Sequence, residues 1–135
     1  MYTVDTKVRV RYAETDQMGY VYYGNYAAYF EVGRVELLRA MGTSYRSLEE
    51  TGIMLPVVDY SVKYKKPAKY DDELIIRTHI KVLPNVKIIF DYEIFNERQE
   101  LLNTASTSLV FVNMESNKPC FAPSWFIDKL KPYFE

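Results

Sequence analysis

Histidine and cysteine, two residues that commonly build enzyme active sites, are scarce in this chain. Among its 135 residues there is one cysteine, Cys120, and one histidine, His79. A disulfide needs two cysteines, and a Ser-His-Asp or Cys-His device needs a histidine as its base. His79 falls on a strand face shared with Arg77 and Lys81, where we expect a solvated surface residue. The sequence therefore argues against histidine-assisted nucleophiles, and the lone cysteine favours a reducing, intracellular setting.

Metal, nucleotide and membrane signals are also missing. A zinc site takes several histidine or cysteine ligands, and no GxGxxG or phosphate-loop pattern is present, so we expect no metal and no cofactor. The formal net charge of -1 gives no electrostatic basis for nucleic-acid binding. The N-terminal residues lack the apolar run of a signal peptide, and no stretch approaches the roughly 20 apolar residues that span a bilayer. We expect a cytoplasmic protein without membrane insertion.

Aromatic residues, by contrast, are abundant. The chain has 13 Tyr, 7 Phe and 1 Trp, and 48% of its residues are hydrophobic. This composition suits one globular domain with a substantial core. The aromatic residues are more numerous than a small core usually needs. Some of them therefore either pack in the core or line a pocket or an interface.

The first half of the chain changes from an alternating to a helical pattern. Apolar residues alternate from Val8 to Tyr12, which predicts a strand. Between Tyr26 and Met41 they recur every three or four positions, which predicts a long helix with Asn25 as its N-cap and Gly42 at its end. A short helix is expected from Ser44 to Glu50.

The second half has a period of two residues. We expect strands over residues 58–65, 74–82, 86–95 and 101–112, and a last short helix over 124–130, after Pro123. Short turns join these strands, with Asp71-Asp72-Glu73 in one of them, which favours an antiparallel sheet. With the apolar face of the long helix laid against this sheet, the fold class is α+β.

An acidic turn, Glu14-Thr15-Asp16, lies between the first strand and the long helix. A carboxylate can attack a carbonyl or activate water, and free amides at a helix start stabilise an oxyanion. Apolar residues that would exclude water flank the turn: Met18, Val21, Tyr22, Tyr23 and Tyr26. A turn of this kind also commonly serves only as a cap. The residues alone leave both roles open.

Two blocks of sequence are distinctive in their order and spacing. The first runs from Arg11 to Gly19 and from Val21 to Tyr26, and continues to Phe30, Glu31 and Arg34; the second comprises Leu55–Val58 and Val62–Leu74. Together they resemble the hotdog-fold acyl-CoA thioesterases of the 4-hydroxybenzoyl-CoA thioesterase type and their YbgC-like relatives. The resemblance covers nearly the whole chain. It implies a single hotdog domain, residues 1–135, in which about five antiparallel strands wrap around one long helix.

The resemblance also implies roles for individual residues. Asp16 matches the catalytic carboxylate, which either attacks the thioester carbonyl or acts as general base toward water. Tyr23 matches the position whose backbone N–H is the oxyanion donor. Residues expected to contact the substrate are Val21, Tyr22, Asn25, Tyr26, Lys65, Lys66 and Pro67. In a sister subfamily the carboxylate lies on the helix, so Glu31 is the alternative, although Glu31 and Arg34 also fit a helical ion pair.

The implied activity is hydrolysis of an acyl-CoA thioester to a free carboxylic acid and coenzyme A. An acyl-carrier-protein thioester as substrate and a non-catalytic acyl-binding or assembly module on the same fold remain alternatives. The basic stretch from Lys63 to Lys69 offers cations for the phosphates of coenzyme A, with Lys118 as a further candidate, or is simply a solvated face.

The resemblance further implies pairing along a sheet edge, so we expect a homodimer or homotetramer with the site where two subunits meet. Several rings would then set substrate length and polarity, or serve the core and the interface: Tyr20, Tyr22, Tyr26, Tyr29, Tyr60 and Tyr64.

Overall fold

The computed structural model describes all 135 residues and contains one long helix, two shorter helices and eight strands. In chain order the elements are β1 (Tyr2–Arg9), α1 (Tyr26–Ala40), α2 (Tyr45–Glu50), β2 (Ile53–Met54), β3 (Val57–Tyr64), β4 (Glu73–Ile80), β5 (Lys87–Phe95), β6 (Leu101–Val110), β7 (Val112–Asn113), β8 (Lys118–Pro119) and α3 (Ser124–Leu130). Short 3-10 turns occupy Tyr12–Glu14, Tyr23–Asn25 and Lys131–Tyr133. None of the helices has the length and apolar character needed to cross a bilayer.

The five long strands form one antiparallel sheet in the order β1-β4-β5-β6-β3. Strands β4, β5 and β6 follow one another as a meander, whereas both edge strands come from earlier in the chain. The predicted α+β architecture, with about five antiparallel strands and one long helix, is confirmed. A second, three-stranded sheet, β2-β7-β8, was not predicted, because two-residue strands leave no periodic pattern in the sequence.

Alternate residues of the central strands face α1 and are completely buried. Those of β4 are Leu74, Ile76, Thr78 and Ile80, and those of β5 are Ile88, Phe90, Tyr92 and Ile94. The buried residues of α1 include Tyr26, Tyr29, Phe30, Leu37 and Leu38, which have the predicted three- and four-residue spacing. Each large apolar side chain contributes about 1.5–3 kcal/mol when fully buried. This contact fixes α1 on the sheet and thereby positions the first turn of α1.

Gly33 lets α1 approach β4 closely. A Cβ atom at this position would lie 2.5 Å from Thr78 Oγ1 and 2.9 Å from Ile76 Cγ2. We expect Gly33→Ala to lower the free energy of unfolding by about 1–2 kcal/mol, because overpacking costs more than alanine gains in helix propensity. Urea denaturation measures the change. Ala28→Gly, on the exposed side of α1, reports helix propensity alone. A Gly33→Ala protein more stable than the wild type would show that β4 yields to the added methyl group.

The start of the loop after β1 differs from the prediction. Strand β1 ends at Arg9, and Tyr12 begins a 3-10 turn instead of continuing the buried face of the strand. Its ring is 75% exposed and stacks on Tyr70, with ring centroids 3.8 Å apart. The alternation of apolar residues continues to Tyr12, although the chain leaves the sheet after Arg9. A prediction from periodicity alone therefore made the strand too long.

His79 is not the solvated residue that the sequence predicts. It is only 9% exposed, and its ring nitrogens Nδ1 and Nε2 lie 2.8 Å from Thr3 Oγ1 and 2.8 Å from Glu93 Oε1. Its alternation with Ile80 places it on the face of the sheet away from α1, as expected. Side chains of the neighbouring strands β1 and β5 cover it there, and the sequence does not reveal strand neighbours.

Candidate active site

Asp16 opens a tight loop between β1 and α1. Its N–H donates to the Tyr20 carbonyl at 2.8 Å, and its own carbonyl accepts from the Gly19 N–H at 3.0 Å. Gly19 has φ +78°, a left-handed conformation that glycine adopts without strain. The carboxylate oxygen Oδ1 accepts the N–H groups of Met18 and Tyr20 at 2.9 and 3.2 Å. These bonds orient the carboxylate and leave Oδ2 without a donor from the chain.

Glu14, the other acid of the turn, anchors the loop. Its Oε1 accepts the Arg11 N–H at 2.9 Å and the Tyr29 hydroxyl at 3.0 Å, and its Oε2 accepts from Arg11 Nη2 at 3.0 Å. Its carbonyl accepts from the Tyr22 N–H and from Asn25 Nδ2, both at 2.8 Å. Glu14 therefore ties the turn to the start of α1, with both carboxylate oxygens already in use.

The bonds to Glu14 also determine its protonation. Burial raises the pKa of the Glu14 carboxyl, but the hydrogen bonds from Arg11 and Tyr29 together outweigh burial and hold this pKa below its ordinary value of 4.5. Burial and the bond to Glu14 raise the pKa of the Tyr29 hydroxyl well above its ordinary value of 10.0. Because the folded-state pKa of Glu14 is depressed, the stability that its ionised form contributes is present above about pH 4.5 and is lost as the pH falls through the lower value.

We expect Glu14→Gln to lower the free energy of unfolding by about 1–3 kcal/mol at neutral pH, because a neutral amide replaces a charged acceptor of three hydrogen bonds. Denaturant unfolding at about pH 7 and about pH 3 measures the effect, and the difference from the wild type should shrink at the acidic pH. Tyr29→Phe, which removes one donor only, should show a smaller change with the same pH dependence. A difference equal at both pH values would contradict the assignment.

A cavity of about 490 Å³ lies beside Asp16. Its walls are Asp16, Met18, Tyr20, Val21, Tyr22, Tyr23, Tyr26, Tyr64, Lys65, Lys66 and Pro67. Asp16, Tyr23 and the substrate contacts implied by the resemblance are therefore brought together here, with the exception of Asn25. The lining is mainly aromatic and apolar, with the carboxylate and the lysines as the charged groups, which is the usual make-up of a ligand pocket.

Asn25 stands at the start of α1 but neither lines the cavity nor caps the helix with its side chain. Its Nδ2 donates to the Glu14 carbonyl, and its backbone is already helical, with φ −79° and ψ −18°. Asn25 thus occupies the predicted N-cap position, but its side chain accepts no hydrogen bond from the N–H groups of α1. The cause is the 3-10 turn Tyr23–Asn25, which begins the helical backbone before α1.

The first amides of this turn face no acceptor within the loop. The Asn25 N–H donates to the Tyr22 carbonyl at 2.9 Å, whereas the N–H groups of Tyr23 and Gly24 make no hydrogen bond to a loop carbonyl. Unpaired N–H groups are normal in the first turn of a helix, and with the positive end of the helix dipole they favour a bound anion. Tyr23 belongs to the cavity wall together with Asp16.

The two lysines of the cavity differ in their surroundings. Lys66 pairs with Glu100, and the bonds from Lys66, Asn96 and Arg98 lower the pKa of Glu100 to about 2. No carboxylate of the chain lies within ion-pair distance of Lys65. Lys65 is therefore the cation available to an anionic group at the mouth of the cavity.

Glu31 lies on the exposed side of α1, outside the cavity that contains Asp16. It lines the groove between α1 and β3 together with Arg34 and Tyr60. Arg34 does not pair with Glu31: its Nε donates to the Tyr45 hydroxyl at 3.0 Å, so the predicted helical ion pair is wrong. Burial raises the pKa of Tyr45 to about 12, an effect that Arg34 opposes. The half-buried Arg34 side chain thus binds the Tyr45 hydroxyl and not the exposed Glu31 carboxylate. An ion pair between exposed side chains contributes little to stability, because water screens it.

Some cavity residues were not predicted as substrate contacts. Of the six tyrosines singled out, Tyr20, Tyr22, Tyr26 and Tyr64 line the cavity, whereas Tyr29 is buried in the core and Tyr60 lies in the neighbouring groove. Met18, which was expected to exclude water beside the acidic turn but was not named as a substrate contact, is a further wall of the cavity. Its signal was its position two residues after Asp16, but the direction of its side chain depends on the loop conformation. Lys118 lies on β8 and does not reach this cavity.

Comparisons with known proteins find thioesterases among the relatives of this chain. Residues 10–130 match the sequence profile of the Thioesterase-like superfamily. YneP, a putative acyl-CoA thioesterase of Bacillus subtilis, is 40% identical over 119 residues, which cover 88% of this chain and 86% of the relative. The acyl-CoA thioester hydrolase YbgC of Escherichia coli is 34% identical over 124 residues, 92% of each chain. A solved DHNA-CoA thioesterase from Staphylococcus aureus superposes with a TM-score of 0.90 at 38% identity and covers 99% of this chain and 90% of that protein.

Proposed function

Since the chain belongs to the Thioesterase-like superfamily and is a thioesterase with the hotdog fold, we propose that it hydrolyses acyl-CoA thioesters with Asp16 as its catalytic carboxylate. One observation carries the assignment to Asp16. Its Oδ1 is held by two amides, while Oδ2 has no donor and the residue lines the cavity. Glu14, two residues earlier, has both carboxylate oxygens engaged within the chain.

Two routes from Asp16 give the same products. In the first, the carboxylate attacks the thioester carbonyl, coenzyme A leaves as a thiolate, and water hydrolyses the mixed anhydride to the free acid. In the second, Asp16 takes a proton from a water molecule as that water attacks the carbonyl, and the C–S bond then breaks to release the thiol and the acid. Both routes place negative charge on the carbonyl oxygen. We assign its stabilisation to the Tyr23 N–H, since that amide has no acceptor in the loop.

The walls of the cavity suit a substrate with an aromatic or polar-tipped acyl group. Tyr20, Tyr26 and Tyr64 combine flat apolar rings with hydroxyl groups, which suits a ring that carries oxygen substituents. The relative from Staphylococcus aureus, a DHNA-CoA thioesterase, supports this choice. We place the acyl group against these rings and the phosphates of coenzyme A near Lys65, which has no ion-pair partner of its own.

We further propose that residues 1–135 form one domain and that the working unit is a homodimer or homotetramer. The support for an oligomer is the exposure of aromatic residues around the cavity. Tyr22, Tyr23 and Tyr64 are 50%, 66% and 52% exposed in the isolated chain. Solvent-exposed aromatic side chains concentrated around one site commonly mark an interface with another protein.

Thiol release from a panel of short, long and aromatic acyl-CoAs tests the activity. We expect turnover, with the highest kcat/KM for aromatic acyl groups. Binding of acyl-CoA without hydrolysis of any panel member would favour the non-catalytic acyl-binding module. Turnover of acyl-carrier-protein thioesters alone would move the substrate to the protein carrier.

A further inference from the structure

Asn103 is a fully buried side-chain amide that forms no hydrogen bond. It lies on β6 and is 0% exposed, and neither its Nδ2 nor its Oδ1 contacts a hydrogen-bonding group of the chain. An unpaired buried polar group costs stability, and nearly all such groups in folded proteins are paired. Thr43 and Thr78 each have one unpaired buried hydroxyl, but only Asn103 has a free donor and a free acceptor together. Its amide therefore needs partners from outside the chain.

The position of Asn103 is beside the wall of the Asp16 cavity. Asn103 is directly opposite Tyr64 of β3 in the antiparallel ladder, and such residues share a face of the sheet with Cβ atoms roughly 4.5–5.5 Å apart. Tyr64 lines the cavity and contacts Tyr26 of α1, with ring centroids 5.4 Å apart. On its other side Asn103 adjoins Ile94, which is completely buried. The side toward Tyr64 is therefore the one from which a ligand can reach the amide.

The two rings at this wall are held to different degrees. Tyr26 is 3% exposed, and its hydroxyl accepts the Ala68 N–H at 3.3 Å. Tyr64 is 52% exposed, and its hydroxyl has no hydrogen bond within the chain. Exposed side chains change rotamer within nanoseconds. Rotation of Tyr64 can therefore open the wall in front of Asn103 while Tyr26 stays in place.

We propose that Asn103 is a specificity-determining residue, whose side-chain amide hydrogen-bonds a hydroxyl group on an aromatic acyl group bound in the Asp16 cavity. An amide both donates and accepts, and a hydroxyl does the same, so the two groups satisfy each other. The Tyr64 ring turns aside as the acyl ring enters, and Tyr26 remains as an aromatic contact for it. A ring without the hydroxyl leaves the amide unpaired, and binding sites built for a hydroxyl discriminate strongly against such analogues.

This inference rests on the proposed hydrolysis of acyl-CoA thioesters, and it adds the group that distinguishes hydroxylated from unsubstituted rings. The test compares kcat/KM for the three hydroxybenzoyl-CoA isomers with kcat/KM for benzoyl-CoA. In Asn103→Leu, a variant of similar shape without polar atoms, the preference for the best hydroxylated isomer should fall by about tenfold or more. Hydrolysis of benzoyl-CoA should be retained. Comparing the two enzymes cancels the intrinsic difference in reactivity between the thioesters.

Thermal melting separates this role from a structural one. Asn103→Leu should melt no lower than the wild type, because it removes two unpaired polar atoms from the core. Thr107→Val is the matched control: Thr107 is also buried on β6, but its Oγ1 lies 2.7 Å from the Tyr92 hydroxyl. This variant leaves the Tyr92 hydroxyl without its partner, so it should lower the melting temperature and leave the substrate preference unchanged.

Three results would overturn the proposal. One is an unchanged preference in a folded Asn103→Leu protein, which would reduce Asn103 to a hydrated core residue. Another is an equal loss of preference in Thr107→Val, which would make the effect a general one of the core. A loss in Tyr64→Phe, with Asn103→Leu unaffected, would assign the recognition to the Tyr64 hydroxyl. Asn103→Val, which suits a strand, gives the same comparison if the leucine variant does not fold.

Failure of the proposed activity is recognised separately. A wild type that turns over none of these thioesters contradicts that activity. Calorimetric titration of wild type and Asn103→Leu with hydroxybenzoyl-CoA and benzoyl-CoA then decides the role of Asn103. The ratio of the two dissociation constants should change by about tenfold between the proteins, and an unchanged ratio overturns the proposal.

Discussion

Asp16→Asn is expected to lower kcat for acyl-CoA hydrolysis by about 10³-fold or more, with little change in thermal stability. Asparagine retains the Oδ1 atom that accepts the N–H groups of Met18 and Tyr20, so the loop should keep its conformation. The Oδ2 atom is replaced by an amide nitrogen, which neither attacks a carbonyl nor takes a proton from water. The loss should therefore appear in kcat, while binding of the acyl-CoA is retained.

Initial rates of thiol release from an aromatic acyl-CoA measure this effect. Glu31→Gln is the matched control, since it neutralises the carboxylate on α1 outside the cavity, and it should retain most of the turnover. Asp16→Ala, which cannot return to aspartate by deamidation, guards against a residual rate from reverted protein. Turnover of both Asp16 variants within tenfold of the wild type would rule out the proposed role, and an equal loss in Glu31→Gln would move the chemistry to the helix.

Tyr23→Pro should lower kcat by about 10²–10³-fold, the usual effect of removing one oxyanion donor. Proline lacks an N–H but is well accepted at the first position of a helical turn. Tyr22 has φ −61° and ψ 132°, the extended backbone that proline requires of the residue before it. The substitution therefore removes the amide with little cost to the turn Tyr23–Asn25.

The matched variant is Tyr23→Ala, which removes the ring and keeps the N–H. If the backbone amide is the donor, Tyr23→Ala should retain kcat within about tenfold, and the loss of its ring contacts should appear mainly in KM. A thermal melting curve of each variant checks that the fold is intact. Equal losses of kcat in the two variants would assign the function to the phenol ring, and an unimpaired Tyr23→Pro would remove Tyr23 from the oxyanion site.

The elements with strong periodicity were predictable, and the loops between them were not. Helix α1 and the meander β4-β5-β6 were predicted because their buried residues repeat over many positions, as from Tyr26 to Leu38 and from Leu74 to Ile80. The end of β1 and the environment of His79 were missed, since both depend on contacts with strands distant in sequence. A single sequence contains the period of a strand but not the identity of its neighbours.

The candidate site was predictable in composition more than in geometry. The two sequence blocks indicated the site residues, and Asp16, Tyr23 and the implied substrate contacts other than Asn25 line one cavity. The different roles of the two acids follow only from their hydrogen bonds in the structure. Both carboxylate oxygens of Glu14 accept hydrogen bonds from the chain, whereas one carboxylate oxygen of Asp16 accepts none. Arg34 is a similar case, because helical spacing favoured Glu31, and only packing against α2 reveals Tyr45 as its partner.

The strand order β1-β4-β5-β6-β3 has a consequence for how the protein folds. The hairpins β4-β5 and β5-β6 close short loops. Strand β1 can pair only after β4 has formed, and its residue Tyr2 pairs with the distant Ile80. Closing long loops costs more entropy, so the meander should form early and β1 should dock late. The Asp16 loop connects β1 to α1 and owes its shape to both. Catalytic competence should therefore arise in the final step of folding, after most of the sheet is protected from hydrogen exchange.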